Sequence, residues 1–96
     1  MPQRESIGLK FRARIEVRIK KEQSDPESDT IRKSLLDLNF QLGPLRVAKV
    51  YEVYLEAASK KEAETMARLM CSRLLVNPTK DEFKLEVEPV GNISKS

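Results

Sequence analysis

The sequence predicts an α+β fold, a two-layer ferredoxin-like sandwich of order β-α-β-β-α-β in which two helices cover one face of an antiparallel sheet. Three observations lead there. Residues 11–19 alternate apolar and charged without a break, apolar residues after Asp25-Pro26 recur at helical spacing, and a second helical stripe lies between two further alternating stretches. Strands and helices that each leave one side apolar bury it by packing as layers.

The elements follow in order. Residues 1–9 lack periodicity and read as a flexible arm to a single domain spanning 1–96, with 10–90 as its folded body and 91–96 as a flexible tail. In the first strand Phe11, Ala13, Ile15, Val17 and Ile19 face one way, and Arg12, Arg14, Glu16 and Arg18 face the other. Asp25-Pro26 combines a side chain that caps a helix with a proline at the first helical position, where its missing N–H costs nothing. Ile31, Leu35, Leu38 and Leu42 then mark one helical stripe, which Gly43-Pro44 is expected to end.

Residues 45–57 alternate again, with Lys49 the one charge on the apolar side, and the stretch is long for a single strand. A tight hairpin or one sharply bent strand around Ala48-Lys49 both satisfy the pattern. Ser59 and Glu62 have capping-box spacing and open a second helix, whose inner stripe is Ala63, Met66, Ala67, Met70 and Leu74, widened by Cys71 and Leu75. It should stop before Asn77-Pro78, because the residue preceding a proline is pushed out of helical geometry. Phe83, Leu85 and Val87 give a last strand, limited by Pro89.

Composition narrows the chemistry. The 96 residues carry 18 basic and 15 acidic side chains, interleaved, for a net charge of +3, with one cysteine and no histidine. Catalysis by Ser-His-Asp or Cys-His, histidine-ligated zinc and an imidazole proton shuttle are thereby excluded. Gly8, Gly43 and Gly91 form no phosphate-cradling pattern, so no nucleotide or other cofactor site is expected in this chain. Neither a signal-peptide pattern nor an apolar run of about 18 residues occurs, which implies a cytoplasmic protein without a membrane partner.

Arg12, Arg14 and Arg18 resemble a phosphate-binding patch. In the expected topology the first strand is central, so Glu52, Glu56, Glu86 and Glu88 on its neighbours neutralise them, and no nucleic-acid partner is expected. Val50 and Tyr54 form an apolar spot on that charged face and are candidates for self-association. Cys71 reads as a small buried hydrophobe.

Two runs, Arg46 to Val53 and Cys71 to Pro78, resemble the PurS family, whose members read VRxGKYIEL and CxxLLxNPxIExY there. Ile19-Lys20 through Asp25-Pro26 is similar to a third family segment, LKxxxxDPxG. Ala48, Ser28 and Asn39 stand where the family usually has glycine. The resemblance implies a small, non-catalytic subunit of phosphoribosylformylglycinamidine synthase, acting in purine biosynthesis. It also implies a large synthetase subunit that uses ATP and Mg, a glutaminase subunit that supplies ammonia, and a homodimer or homotetramer of the small chain. On that resemblance Asp25, Pro26, Ala48, Lys49, Asn77 and Pro78 are candidates for the partner interface. A free-standing binding module, RNA-associated or an ACT-like small-molecule sensor, is the alternative.

Overall fold

The structure is a computed structural model describing residues 8–91. It contains β1 (Leu9–Ile19), α1 (Pro26–Asp37), β2 (Ala48–Ala57), α2 (Lys60–Met70), a π-helical turn (Cys71–Leu75) and β3 (Asp81–Pro89). The sheet is antiparallel in the order β2-β1-β3, so the first strand is central, as in the expected topology.

β1 carries the core. Phe11, Ala13, Ile15 and Val17 are buried on one face, and Ala63, Ala67 and Cys71 from α2 and the π turn lie over them. Small residues on the inner face of α2 let the helix approach the sheet closely, and Leu55, Leu85 and Met66 fill the flanks. The other sheet face is polar: Arg12 pairs with Glu88, Lys10 with Glu56, and Arg14 and Arg18 both reach Glu16.

The two-layer α+β arrangement expected from the sequence is present, with one strand fewer among the described residues. The order is β-α-β-α-β, because residues 45–57 form neither a hairpin nor a bent strand. Arg46 instead holds the chain outside the sheet, donating to Ile19 O at 2.6 Å and pairing with Glu82 at 3.1 Å, and pairing with β1 begins only at Ala48. At the other end of the sheet β1 begins at Leu9, within the stretch expected to be a flexible arm, where it pairs with Ala57. The rest of that arm, residues 1–7, and the tail from 92 lie outside the described residues.

α1 ends earlier than its apolar spacing suggests. Asn39 takes a left-handed conformation (φ 73°) and its N–H bonds Leu36 O at 2.9 Å, while the N–H of Phe40 reaches Leu35 O at 3.2 Å. That pair of bonds is a Schellman closure, with asparagine in the position glycine usually takes. Leu42 is therefore not on the helix. Residues 40–43 return alongside it, with Arg32 donating to Leu42 O and Gly43 O. The result is an arm of helix and return leg that buries only Ser28 from its helix and leaves Ile31, Leu36, Leu38 and Phe40 exposed.

α2 departs from its expected stripe at one position. The bond from Val76 N to Cys71 O, 3.0 Å, closes a turn wider than an α turn. Cys71 stays buried and Leu75 half-buried, but Leu74, placed in the inner stripe by α-helical spacing, is 82% exposed.

Candidate functional site

Asp25 and the start of β2 meet at the root of the arm. Asp25 caps α1, accepting from Ser28 N at 3.2 Å, and Pro26 follows in the first helical turn. Ser28 is buried at 4% exposure, and its hydroxyl donates to Asp25 at 2.5 Å and accepts Val47 N at 3.0 Å. One serine thus joins the two legs of the arm just before the second becomes β2. The hydrogen bonds from Ser28 hold the Asp25 carboxyl below its ordinary value.

Beyond this junction Ala48 lies opposite Arg18 and Lys49 opposite Val17. Together with Asp25 they line a cavity of about 270 Å3 whose apolar wall includes Val17, Tyr51 and Leu75. Lys49 is exposed as the second residue of the edge strand β2 and makes no ion pair among the described residues. Desolvation of its ammonium is thus avoided by exposure.

Asn77 and Pro78 are at the same end of the sheet and do not line that cavity. Asn77 builds the turn into β3: its side-chain oxygen accepts Thr79 N at 3.0 Å, and its own N–H donates to Asp81 Oδ2 at 2.9 Å. Pro78 O accepts from Lys20 Nζ at 3.1 Å. Asp81 lines both the first cavity and a neighbouring one of about 450 Å3, where Pro78 meets Cys71 and Phe83. Burial raises the Cys71 thiol above its ordinary value, which leaves it protonated at neutral pH. Val50 and Tyr54 are exposed on the opposite, charged face, with Tyr54 beside Arg12 and Val50 beside Glu16. Arg18 beside it is the main reason that Glu16 is held below the usual carboxylate range.

A second surface escaped the sequence. Leu74, turned outward by the π turn, joins Leu69, Met70, Leu75, Arg73 and Val53 around an open apolar groove of about 410 Å3 beside β2. Ser28 and Arg46 were missed as well. Ser28 follows Asp25 at cap spacing, a usable signal, whereas nothing in the periodicity marks Arg46.

What these surfaces offer chemically is shape and contact. Among the described residues no group of three or more potential metal ligands comes together. The one thiol is buried, and among the described residues no helix is long and apolar enough to cross a membrane.

Residues 12–89 match the family model PurS, described as phosphoribosylformylglycinamidine (FGAM) synthase. The chain belongs to the PurS family. A PurS subunit of FGAM synthase from Archaeoglobus fulgidus is 31% identical over 74 residues, covering 76% of this chain and 92% of that protein. The solved PurS of Thermus thermophilus is 30% identical with a TM-score of 0.74, covering 84% of this chain and 98% of the other. A structure described as PurLQS from Thermotoga maritima contains a chain 29% identical, with a TM-score of 0.73 and the same coverage, 84% and 98%.

Membership clarifies two glycine replacements. Asn39 supplies the left-handed residue that closes α1, and Ser28 adds a hydroxyl that a glycine lacks, fastening the arm's root. Ala48 opens β2 in regular register with Arg18.

Proposed function

We propose that this chain is the non-catalytic PurS subunit of phosphoribosylformylglycinamidine synthase, a cytoplasmic ATP-dependent ligase of purine biosynthesis. It docks the glutaminase subunit on the large synthetase subunit and supports ammonia transfer between them. ATP and Mg belong, on this reading, to the synthetase. The observation that carries the reading is the family match over residues 12–89, and the relative described as PurLQS supports it. The absence of histidine from the whole chain accords with a contribution made by surface.

On this reading the partner contact lies at the arm's root, where Asp25, Ala48 and Lys49 line the first cavity, Pro26 follows Asp25 in the first helical turn, and Asn77-Pro78 flank it across Asp81.

Self-association is placed elsewhere. Each copy has an arm with exposed Ile31, Leu36, Leu38 and Phe40, and a groove beside β2 walled by Leu69, Leu74 and Val53. Folding the arm onto its own groove would break the Ser28 and Arg46 bonds at its root. In a two-fold pair each arm enters the other copy's groove, so the same apolar contact is made twice. The Val50 and Tyr54 spot suits a second, smaller contact that turns two pairs into a tetramer.

Mixing the chain with purified synthetase and glutaminase subunits and following the sedimenting species tests the docking role. A single three-component species supports it. Separate sedimentation of this chain under turnover conditions sinks it.

A further inference from the structure

Where α2 ends, two adjacent leucines compete for one place. Leu74 continues the stripe of Ala63 and Ala67 at α-helical spacing, so α closure of the last turn puts it on the buried side with Leu75 at the flank. The π turn reverses that choice. With Val76 N on Cys71 O at 3.0 Å, Leu75 packs against the buried Ile15, Val17 and Cys71, and Leu74 is left outside. In either closure one leucine is inside and one outside, so apolar volume is conserved, the kind of exchange that cores tolerate best. Backbone pairing is conserved too, because Cys71 O takes the amide of Val76 in the π register and that of Leu75 in the α register.

What selects the π register is the chain that follows. Pro78 keeps Asn77 out of helical geometry, and Asn77 is anchored twice over. Its N–H donates to Asp81 Oδ2 at 2.9 Å, and its carbonyl accepts the amides of Lys80 at 3.1 Å and Asp81 at 2.7 Å. Only Val76, extended at φ −126° and ψ 133°, separates this anchor from the turn. An α turn uses fewer residues per turn than a π turn, so α closure of the same residues rotates the helix end further, and Val76 alone must absorb the difference. Space for the movement adjoins the turn on every side: Leu75 lines the first cavity, Leu74 the groove, and Cys71 and Val76 the third cavity.

We infer that Cys71–Leu75 is a two-register element, π-closed with Leu75 inside or α-closed with Leu74 inside, and that the bond from Asn77 N to Asp81 holds it in the π register. The register decides which surface carries a leucine, the cavity where the partner contact is proposed or neither of its walls, while the groove keeps one in both cases. That consequence rests on the proposed contact, whereas the two registers do not.

Relaxation dispersion on isotope-labelled leucine methyl groups and on the Val76 amide reads the exchange, which for a helix register shift falls on the μs–ms scale. Leu74, Leu75 and Val76 are expected to share one process with a minor state of about 0.1–10%. Asp81→Ala removes the acceptor of Asn77 N and is expected to raise that population about tenfold, the effect of losing one hydrogen bond to a charged group. Leu74→Asp, whose charge cannot enter the core, is expected to keep the native circular dichroism and flatten the dispersion. Leu75→Asp drives the opposite way, and Leu74 should then show nuclear Overhauser contacts to Val17. Flat dispersion in both the parent and Asp81→Ala overturns the inference, as does exchange that persists in Leu74→Asp. A folded Leu75→Asp with Leu74 still outside overturns it as well, and if that variant does not fold, Asp81→Ala and Leu74→Asp decide. No larger subunit enters these measurements, so their failure leaves the docking function standing.

Discussion

The hydroxyl of Ser28 donates to Asp25 at 2.5 Å while its oxygen accepts the amide of Val47, so a single buried side chain fixes the angle at which the arm leaves the sheet. Replacing it, Ser28→Ala, leaves the half-buried Val47 N–H without its partner. The expected loss is about 1 kcal/mol in denaturant unfolding, the lower end of the range for a buried donor left unsatisfied. Ser28→Thr, which keeps the hydroxyl, is expected to recover part of it.

The Asp25 carboxyl gives a pH signature. Its folded value lies below the ordinary 3.8, chiefly through the hydrogen bond from the Ser28 side chain. A depressed folded value means that its contribution is fully present above the unfolded value and is lost as pH falls from there through the folded one. Thermal unfolding scanned downward from pH 6 should therefore show a declining Tm below about pH 4. Asp25→Asn keeps a good cap and is expected to flatten that decline while leaving the neutral-pH Tm nearly unchanged.

At the start of α2 the Ser59 hydroxyl accepts Glu62 N at 3.1 Å, and Glu62 reaches back to Ala58 N at 2.5 Å. Ser59→Ala is expected to cost about 1 kcal/mol, read as a lower urea midpoint with unchanged slope. α2 covers the core, so the effect should be global and not confined to a fraying end.

Lys49 is exposed and makes no ion pair among the described residues, so Lys49→Met should leave Tm unchanged. Glutamine-dependent turnover of the three-subunit mixture is expected to fall by about tenfold, the consequence of losing roughly 1.4 kcal/mol from one charged contact. Unchanged turnover would remove Lys49 from the interface.

The parts of the fold legible in the sequence are those where one period governs a whole element. β1 alternates without exception, and its central place in the expected topology put carboxylates on both neighbours, where the structure puts Glu52 and Glu86 opposite Arg14. The cap at Asp25 and the box at Ser59 were equally plain, since capping is decided within four residues.

The misreadings fall where a local bond overrides a period. Leu38 and Leu42 continue the spacing of α1, yet Asn39 closes the helix first. Leu74 continues the spacing of α2, yet the Val76 to Cys71 bond turns it outward. Val47 continues the alternation of β2, yet Ser28 and Arg46 hold its neighbourhood outside the sheet. Asp25, Ala48 and Lys49 were singled out without any means of knowing that they share one cavity, because their meeting depends on that arm root. The groove at Leu74 was invisible because the π turn that turns this side chain outward leaves no mark in the helical period.

The central claim is that this chain acts by joining two larger subunits, and one measurement meets it directly. Synthetase and glutaminase are mixed with and without the chain, and product formation is followed with glutamine and, separately, with free ammonia as nitrogen donor. The expected result is that omission abolishes the glutamine-dependent rate and spares the ammonia-dependent one. Equal glutamine-dependent rates with and without the chain would contradict the account.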